Sequence, residues 1–410
     1  MLPTVSRTSS LISSAAVGSQ RLAHRYPYVI GCLVVLAAFF GIAVATSLHI
    51  GIEIRDPEGA LLGRRMIGPV LLMGLFAFLG IAVATSLPIG IEIRDPEGAL
   101  LGRRMIGPVL LMGRFAFLDS LRRAWRLKRA GTQGRLLALA VQTFFERWWW
   151  KRLVLAIVGF LCFAFTYLAY RNLKSFLSLI EYRVYDQQLL ALDRWMALGY
   201  DPANVLHDAL GTGFSAHVLS WLYLIYIPLV PVTVSAALAF VERMREAYVF
   251  VATYMWCWIL GTASYYAIPT LGPFASREQI FADLERTNVT KVQESLINHR
   301  LTLHADNIGD VVVGGIAGFA SLHVGIVFAV VLLMRYYRER TLYWVSVAFL
   351  VPTVLATIYF GWHFIVDDLA GLFIGWFAFV LGRATVYPRI LLVWRRRAVQ
   401  AAELATPRHI

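Results

Sequence analysis

The chain has 410 residues, of which 59% are hydrophobic and only 15% are charged, and its formal net charge is +13. This composition is more hydrophobic and less charged than that of ordinary soluble proteins, which indicates a membrane protein. The excess positive charge must lie in loops and tails, where it reports membrane orientation and contact with anionic lipid. No zinc-finger spacing and no aromatic and basic RNA-binding pattern is present, so we expect the bilayer and no nucleic acid as a partner; protein partners are left open.

Residues 1–150 predict a membrane-associated extension. The apolar run from Tyr28 to Leu48 is long and lacks a small-residue cleavage site, which favours a retained span over a signal peptide. Two nearly identical 39-residue units, 38–76 and 77–115, indicate a recent tandem duplication or an assembly artefact, and they carry no chemistry. The basic, tryptophan-rich stretch 119–152 predicts an interfacial helix on an anionic leaflet or, alternatively, a solvated linker.

Residues 151–390 predict an all-α, six-helix transmembrane core, and residues 391–410 a basic cytoplasmic tail. Six apolar runs are long enough to cross a bilayer, namely 153–171, 214–240, 247–268, 317–335, 341–361 and 364–386. The short basic connections after the second and fourth runs assign the cytoplasmic side. The loops 172–213 and 269–316 then lie outside, and we expect an integral protein of the plasma (inner) membrane.

The three cysteines, Cys32, Cys162 and Cys257, all lie inside apolar runs. Their spacing suggests neither a disulfide framework nor a CxxC metal site. We interpret them as core thiols. His207 and His217 are interpreted as structural residues whose hydrogen bonds are satisfied.

The stretch from Gly318 to Gly371 carries the candidate chemistry. Its two apolar runs form a hairpin, so His323 and His363 reach the same membrane face. If a helix begins near Trp362, Asp367 lies one turn beyond His363 and orients the imidazole as a nucleophile. His323 is then placed to donate a proton to a leaving oxygen.

Two other interpretations of these residues stay open. The histidines could cap helix ends at the headgroup level, or His323, His363 and Asp367 could bind a metal ion. Asp368 is interpreted as a helix-end or solvent-facing carboxylate. Tyr359 and Trp362 are interpreted as members of an interfacial aromatic belt.

The pattern SLHxG, followed after one hairpin by HxxxDxxAG, resembles the second and third signature motifs of the type 2 phosphatidic acid phosphatase superfamily. The stretch DQQLLALDRWMALGYDP, 186–202, is similar to a pattern of its inositol phosphotransferase-like branch. The resemblance covers roughly residues 150 to 390. It implies a metal-independent, cofactor-free enzyme on lipid phosphates, with a phosphohistidine on His363, Asp367 as orienting carboxylate, His323 as acid and Ser321 as phosphate ligand.

Departures from the family pattern concern the cations. Thr357 stands where the phosphatase branch has Arg, and the stretch from Tyr265 to Arg277 lacks the Lys and Arg pair of the first motif. This favours the phosphotransferase-like branch and transfer of a phospho-alcohol such as phosphoinositol. Arg277 is either a phosphate ligand or a solvated loop charge, and the glycine-rich approach to Ser321 is expected to present backbone amides to an anion. A non-catalytic transporter or scaffold with a degenerate site is the alternative function.

Overall fold

The computed structural model describes residues 26–50, 103–180, 183–304 and 318–388. Within them the chain is helical, with no strand, which confirms the predicted all-α fold. The α-helices, in chain order, are α1 Pro27–Ile50, α2 Arg103–Arg129, α3 Leu136–Arg147, α4 Trp150–Ile180, α5 Asp186–Met196, α6 Pro202–Leu210, α7 Phe214–Phe240, α8 Met244–Ala267, α9 Pro273–Ser276, α10 Asn288–His304, α11 Leu322–Tyr337, α12 Arg340–Tyr359 and α13 Ile365–Val386. A 3₁₀ turn follows α9 at Glu278–Phe281.

Six of these helices are long and apolar enough to cross a membrane: α1, α4, α7, α8, α12 and α13. The chain is therefore an integral membrane protein. Five of them match predicted core spans, and α1 matches the predicted N-terminal span. The remaining predicted core run, 317–335, forms the shorter helix α11, whose 16 residues rise about 24 Å. It is shorter than predicted because residues 318–321 form a turn before the helix starts.

Helix α8 lies at the centre of the bundle. It packs against α4 on one side and α13 on the other, and α13 also packs along α11. Large side chains such as Tyr248, Phe250 and Tyr254 are almost fully buried on it. All three cysteines are buried, which confirms their interpretation as core thiols.

Helices α11 and α13 approach each other at glycines. A Cβ at Gly325 would lie 2.8 Å from the carbonyl oxygen of Gly371, and a Cβ at Gly371 would collide with the Ser321 carbonyl. The N–H of Ser321 donates to the carbonyl oxygen of Asp367 at 3.0 Å. The backbones therefore touch, and the first turns of the two helices are held side by side.

The N-terminal extension packs on this bundle. Helix α1 contacts α4, α8 and α13, and α2 contacts α7 and α3. Residues 51–102, which include most of the duplicated units, and the basic tail lie outside the described residues.

The basic stretch 119–152 forms the end of α2, all of α3 and the start of α4. Three of its arginines bind groups at the carboxyl end of α7, and we call Arg123, Arg147 and Arg152 the arginine cluster. Arg123 and Arg147 contact the Asp119 carboxylate at 2.9 and 2.7 Å, and Arg152 donates to the carbonyl of Val241 at 2.8 Å. These contacts fix the segment to the bundle at three arginines, whereas its other six Lys and Arg side chains are exposed, so both interpretations of the stretch stay predictions.

Candidate active site

His323 is the second residue of α11, and the N-cap Ser321 accepts the N–H of the next residue, Val324. Its ring stacks on Tyr223 of α7, with centroids 4.3 Å apart and planes at 21°, and lies 4.2 Å from the ring of Tyr226. The Tyr223 hydroxyl is 3.4 Å from Nδ1. Because Nδ1 faces that hydroxyl, Nε2 is the nitrogen that remains for another partner.

His363 is 6% exposed and its ring centroid lies 6.4 Å from that of His323. The helix begins three residues after Trp362, because α13 starts at Ile365 with Phe364 as its N-cap, and His363 lies just before it. Asp367 reaches His363 from the third helical position: its Oδ2 lies 3.4 Å from Nδ1 and accepts the Phe364 N–H at 3.0 Å. Helix capping therefore aims the carboxylate at the imidazole.

Asp368 is 4% exposed, so its interpretation as solvent-facing is wrong. Its Oδ2 accepts the hydroxyl hydrogen of Thr357 at 2.8 Å, and the Ser321 hydroxyl lies close to this carboxylate. Its charge interacts with His363, and its Oδ1 has no hydrogen-bond partner among the described residues. The position where the phosphatase branch has Arg thus holds a neutral hydroxyl that is bound to a second buried carboxylate.

The turn before α11 does not present its amides to a ligand, contrary to expectation. The four N–H groups of residues 318–321 donate, in order, to Thr270 O, Thr270 Oγ1, Ser264 Oγ and Asp367 O. Among residues 318–324, the amides without a partner within the described residues are those of Leu322 and His323, because the Val324 N–H donates to the Ser321 hydroxyl. An anion at this helix start would therefore meet the amides beside His323.

Two aspartates of α5 hold the loops around His363. Asp186 accepts the N–H groups of Leu271 and Gly272, at 3.0 and 2.8 Å. Asp193 accepts the first two N–H groups of α13, at 2.8 and 3.2 Å. Burial raises the pKa of Asp193 to about 6 and also raises that of Asp186, against the opposing effect of the N–H groups. Both lie in the 186–202 pattern, to which sequence reasoning gave no role.

The two cations near the site differ in their partners. Arg277, the candidate phosphate ligand, forms an ion pair with Asp201, the N-cap of α6. Lys174 of α4 lies close enough to His323 for their charges to interact, and its Nζ is 5.3 Å from the ring centroid of Tyr265. Sequence reasoning missed Lys174. The signal that could have indicated it is a lysine three residues after the apolar run 153–171, followed by the further apolar stretch 175–180 that continues the helix.

Other polar residues near the site have structural partners. The Nε2 of His207 lies 2.8 Å from the carbonyl of Tyr359, and the exposed His217 lies 3.3 Å from Glu285, as expected of satisfied histidines. Tyr359 is fully buried, so its placement in an interfacial belt is wrong. Trp362 stacks on the same tyrosine that holds His323.

The metal interpretation would need three or more ligands from the same neighbourhood. Among the residues that the structure describes, no group of three or more His, Cys, Asp or Glu side chains is arranged to hold a metal ion. No ligand set can therefore be named for this interpretation, and its test is experimental.

Residues 187–381 match the family model of the PAP2 superfamily, which is the type 2 phosphatidic acid phosphatase superfamily. The matched segment is somewhat less than half of the chain, and it runs from α5 to α13. It contains His323, His363 and Asp367, and it supports a membrane phosphatase-type function. It does not distinguish the inositol phosphotransferase-like branch. Neither the curated proteins nor the solved structures include a match to this chain.

Proposed function

We propose that this protein is an integral membrane enzyme that breaks a lipid phosphoester through a phosphohistidine on His363. The observation that carries the proposal is the pairing of two imidazoles at one end of the bundle, 6.4 Å apart, with a buried carboxylate 3.4 Å from the second. Phosphoryl transfer requires mainly positioning and charge neutralisation, which such a pair supplies. The PAP2 match over these same helices supports the reaction class.

The reaction has two steps. In the first, His363 Nε2 attacks phosphorus, because Nδ1 faces Asp367, and the bond from phosphorus to the lipid alcohol breaks. His323 donates its proton to the departing oxygen, while Asp367 stabilises the positive imidazole ring. In the second step, water or an alcohol attacks the phosphohistidine and gives its proton to His323, which restores both residues.

The substrate is a lipid phosphoester, and the site faces the non-cytoplasmic side. The short basic connections at the opposite end of the bundle support this orientation through the positive-inside rule. Transfer of a phospho-alcohol such as phosphoinositol is the finer form of the proposal. It draws support from Thr357, which replaces a phosphate-binding Arg and bonds to Asp368.

A non-catalytic transporter or scaffold is the alternative function. The experiment that separates the two is incubation of purified protein with lipids that carry a radiolabelled phosphate, with and without EDTA. The proposal predicts metal-independent release or transfer and, after an acid-free quench, a label on the protein that is labile to acid and stable to base. Loss of turnover with EDTA would favour a metal site, and absence of turnover across lipid classes would favour the scaffold.

A further inference from the structure

The proposed reaction brings an anionic phosphate into a site rich in carboxylates. Asp367 and Asp368 are both buried there, and Asp193 lies close enough to interact with Asp367. Arg277 is neutralised by Asp201, and the position of the missing family arginine holds Thr357. A phosphate bound beside His363 therefore needs a cation from elsewhere in the bundle.

Lys174 is a cation without a carboxylate partner among the described residues. It lies near the carboxyl end of α4, where its half-buried side chain rests over the ring of Tyr265, with Nζ 5.3 Å from the centroid. A lysine ammonium is a compact, strongly hydrated point charge, and an aromatic face alone compensates little of its lost hydration. An unpaired ammonium at this depth therefore favours an anionic ligand.

The packing of α4, α8 and α11 brings this end of α4 to the histidines. The Tyr266 hydroxyl of α8 donates to the carbonyl of Leu173, the residue before Lys174, at 2.8 Å. One turn earlier on α8, the side chain of Leu322 fills the space beside Gly261, where a Cβ would collide with it. Leu322 directly precedes His323.

We propose that the Lys174 ammonium binds the non-bridging oxygens of the substrate phosphate while His363 attacks it. This inference rests on the proposed function and names the cation that the site would use. The position of Lys174 also affects His323, the proposed proton donor. Burial, the nearby His363 and the charge of Lys174 all oppose a proton on His323, and a phosphate between Lys174 and His323 would offset the part that is due to Lys174. Substrate binding would then favour the protonated His323 that the first step requires.

The test compares three variants of the full-length protein in detergent. Lys174→Met keeps the length of the side chain and removes its charge, and Lys174→Arg restores a cation. Lys151→Met is the matched control, because it removes the same charge from an exposed position at the other end of α4. Size-exclusion chromatography and thermal midpoints verify that each variant is folded. If Lys174→Met does not fold, Lys174→Gln takes its place.

The first readout is equilibrium binding of orthovanadate and inorganic phosphate, and it does not depend on a lipid substrate. We expect the Kd of both anions to rise about 10- to 100-fold in Lys174→Met, to return near the wild-type value in Lys174→Arg and to stay unchanged in Lys151→Met. Equal affinities in the Met variants and the wild type, or no anion binding by the wild type, would overturn the assignment of Lys174.

The second readout is lipid turnover by the same preparations. If the wild type turns over lipid phosphate, we expect the kcat/KM of Lys174→Met to fall by a similar factor, and a kcat/KM equal to that of Lys151→Met would contradict the proposal. If the wild type binds vanadate through Lys174 but turns over no lipid, the proposed function fails and the anion site stands. The two failures are thus distinguishable.

Discussion

The two ends of the bundle hold their polar groups in opposite ways. In the arginine cluster, each guanidinium contacts a carboxylate or carbonyl oxygen. At the histidine end, the carboxylates of Asp367 and Asp368 are buried, and neither forms an ion pair with a Lys or Arg among the described residues. Buried carboxylates without a cationic partner are costly, so they need an explanation. The comparison indicates that the arginine cluster stabilises the fold, and it supports the proposal that the histidine end binds a ligand.

The largest effect that would sharpen this contrast is expected for His363→Ala. Without its nucleophile the site forms no phosphohistidine, and we expect lipid turnover to fall by more than about 10³-fold with the folded protein retained. The measurement is initial rate per folded protein. His217→Ala, which removes an exposed imidazole paired with Glu285, is the control and should keep wild-type activity. Turnover of the His363 variant near that of the control would refute the nucleophile assignment.

His323→Ala should show a loss that depends on the leaving group. For a lipid alkoxide, which needs a proton, we expect a rate about 10²- to 10⁴-fold lower. For a nitrophenyl phosphoester, whose leaving group departs unprotonated, the loss should be much smaller. The ratio of the two rates is the measurement. An equal loss for both substrates would assign His323 a structural role instead.

Asp193→Asn should change the pH dependence of stability. Burial raises the pKa of Asp193 from 3.8 to about 6, so the native state binds the proton more tightly than the unfolded state. Stability from this proton is fully present below pH 3.8 and is lost as the pH rises through about 6. The Asn variant lacks this dependence, so the wild type should lose up to roughly 3 kcal/mol relative to it over that window.

Thermal midpoints in detergent at several pH values between 4 and 7 measure this difference. Asp208→Asn is the control, because Asp208 is an exposed carboxylate on the next helix, α6. Wild-type and Asp193→Asn curves that run parallel across this range would contradict the effect of burial.

At the opposite end, Arg147→Met should lower stability and leave the chemistry intact. The substitution removes contacts to Asp119 and Glu242, at 2.7 and 3.1 Å, and should cost about 1 to 3 kcal/mol. Activity per folded protein should change by less than about twofold. The exposed Arg135, mutated to Met, is the control for loss of charge. A large fall in kcat for Arg147→Met would break the distinction between the two ends.

The smallest effect is expected for deletion of residues 51–89, which removes one repeat unit. Because the units are nearly identical, the deletion joins Ile50 to Gly90 and keeps the sequences of α1 and α2. We expect activity and thermal midpoint close to those of the full chain. A tenfold loss of activity would show that the duplicated segment contributes to the site.

The helices were largely predictable from the sequence. A segment that crosses the bilayer must form its backbone hydrogen bonds within a helix and needs about twenty apolar residues, which are easily recognised. The pairing of His323 with His363 was accessible for the same reason, since two spans in a hairpin return to one face. Helix α1 was also predicted as a span, but its packing on α4, α8 and α13 was not. Packing between distant segments leaves no such signature in the local sequence.

The wrong predictions concern residues whose environment is determined by tertiary contacts. Asp368 was interpreted as exposed because it starts a helix, yet Thr357 and Ser321 enclose its carboxylate. The amides of residues 318–321 were expected to face an anion, but Ser264, Thr270 and Asp367 accept them. Lys174 was overlooked because its neighbours come from α8 and α11, far away in the chain.

The touching backbones of α11 and α13 have a consequence for altering this protein. The hydrogen bond from the Ser321 N–H to the Asp367 carbonyl oxygen, and the glycine contacts beside it, involve main-chain atoms. Substitutions of the aromatic side chains around the site therefore do not remove these contacts. The spacing of the two backbones beside the histidines is thus set independently of these side chains. Substitutions at Tyr223 and Tyr226 would change the contacts of the His323 ring while the backbones beside His323 and His363 keep their spacing.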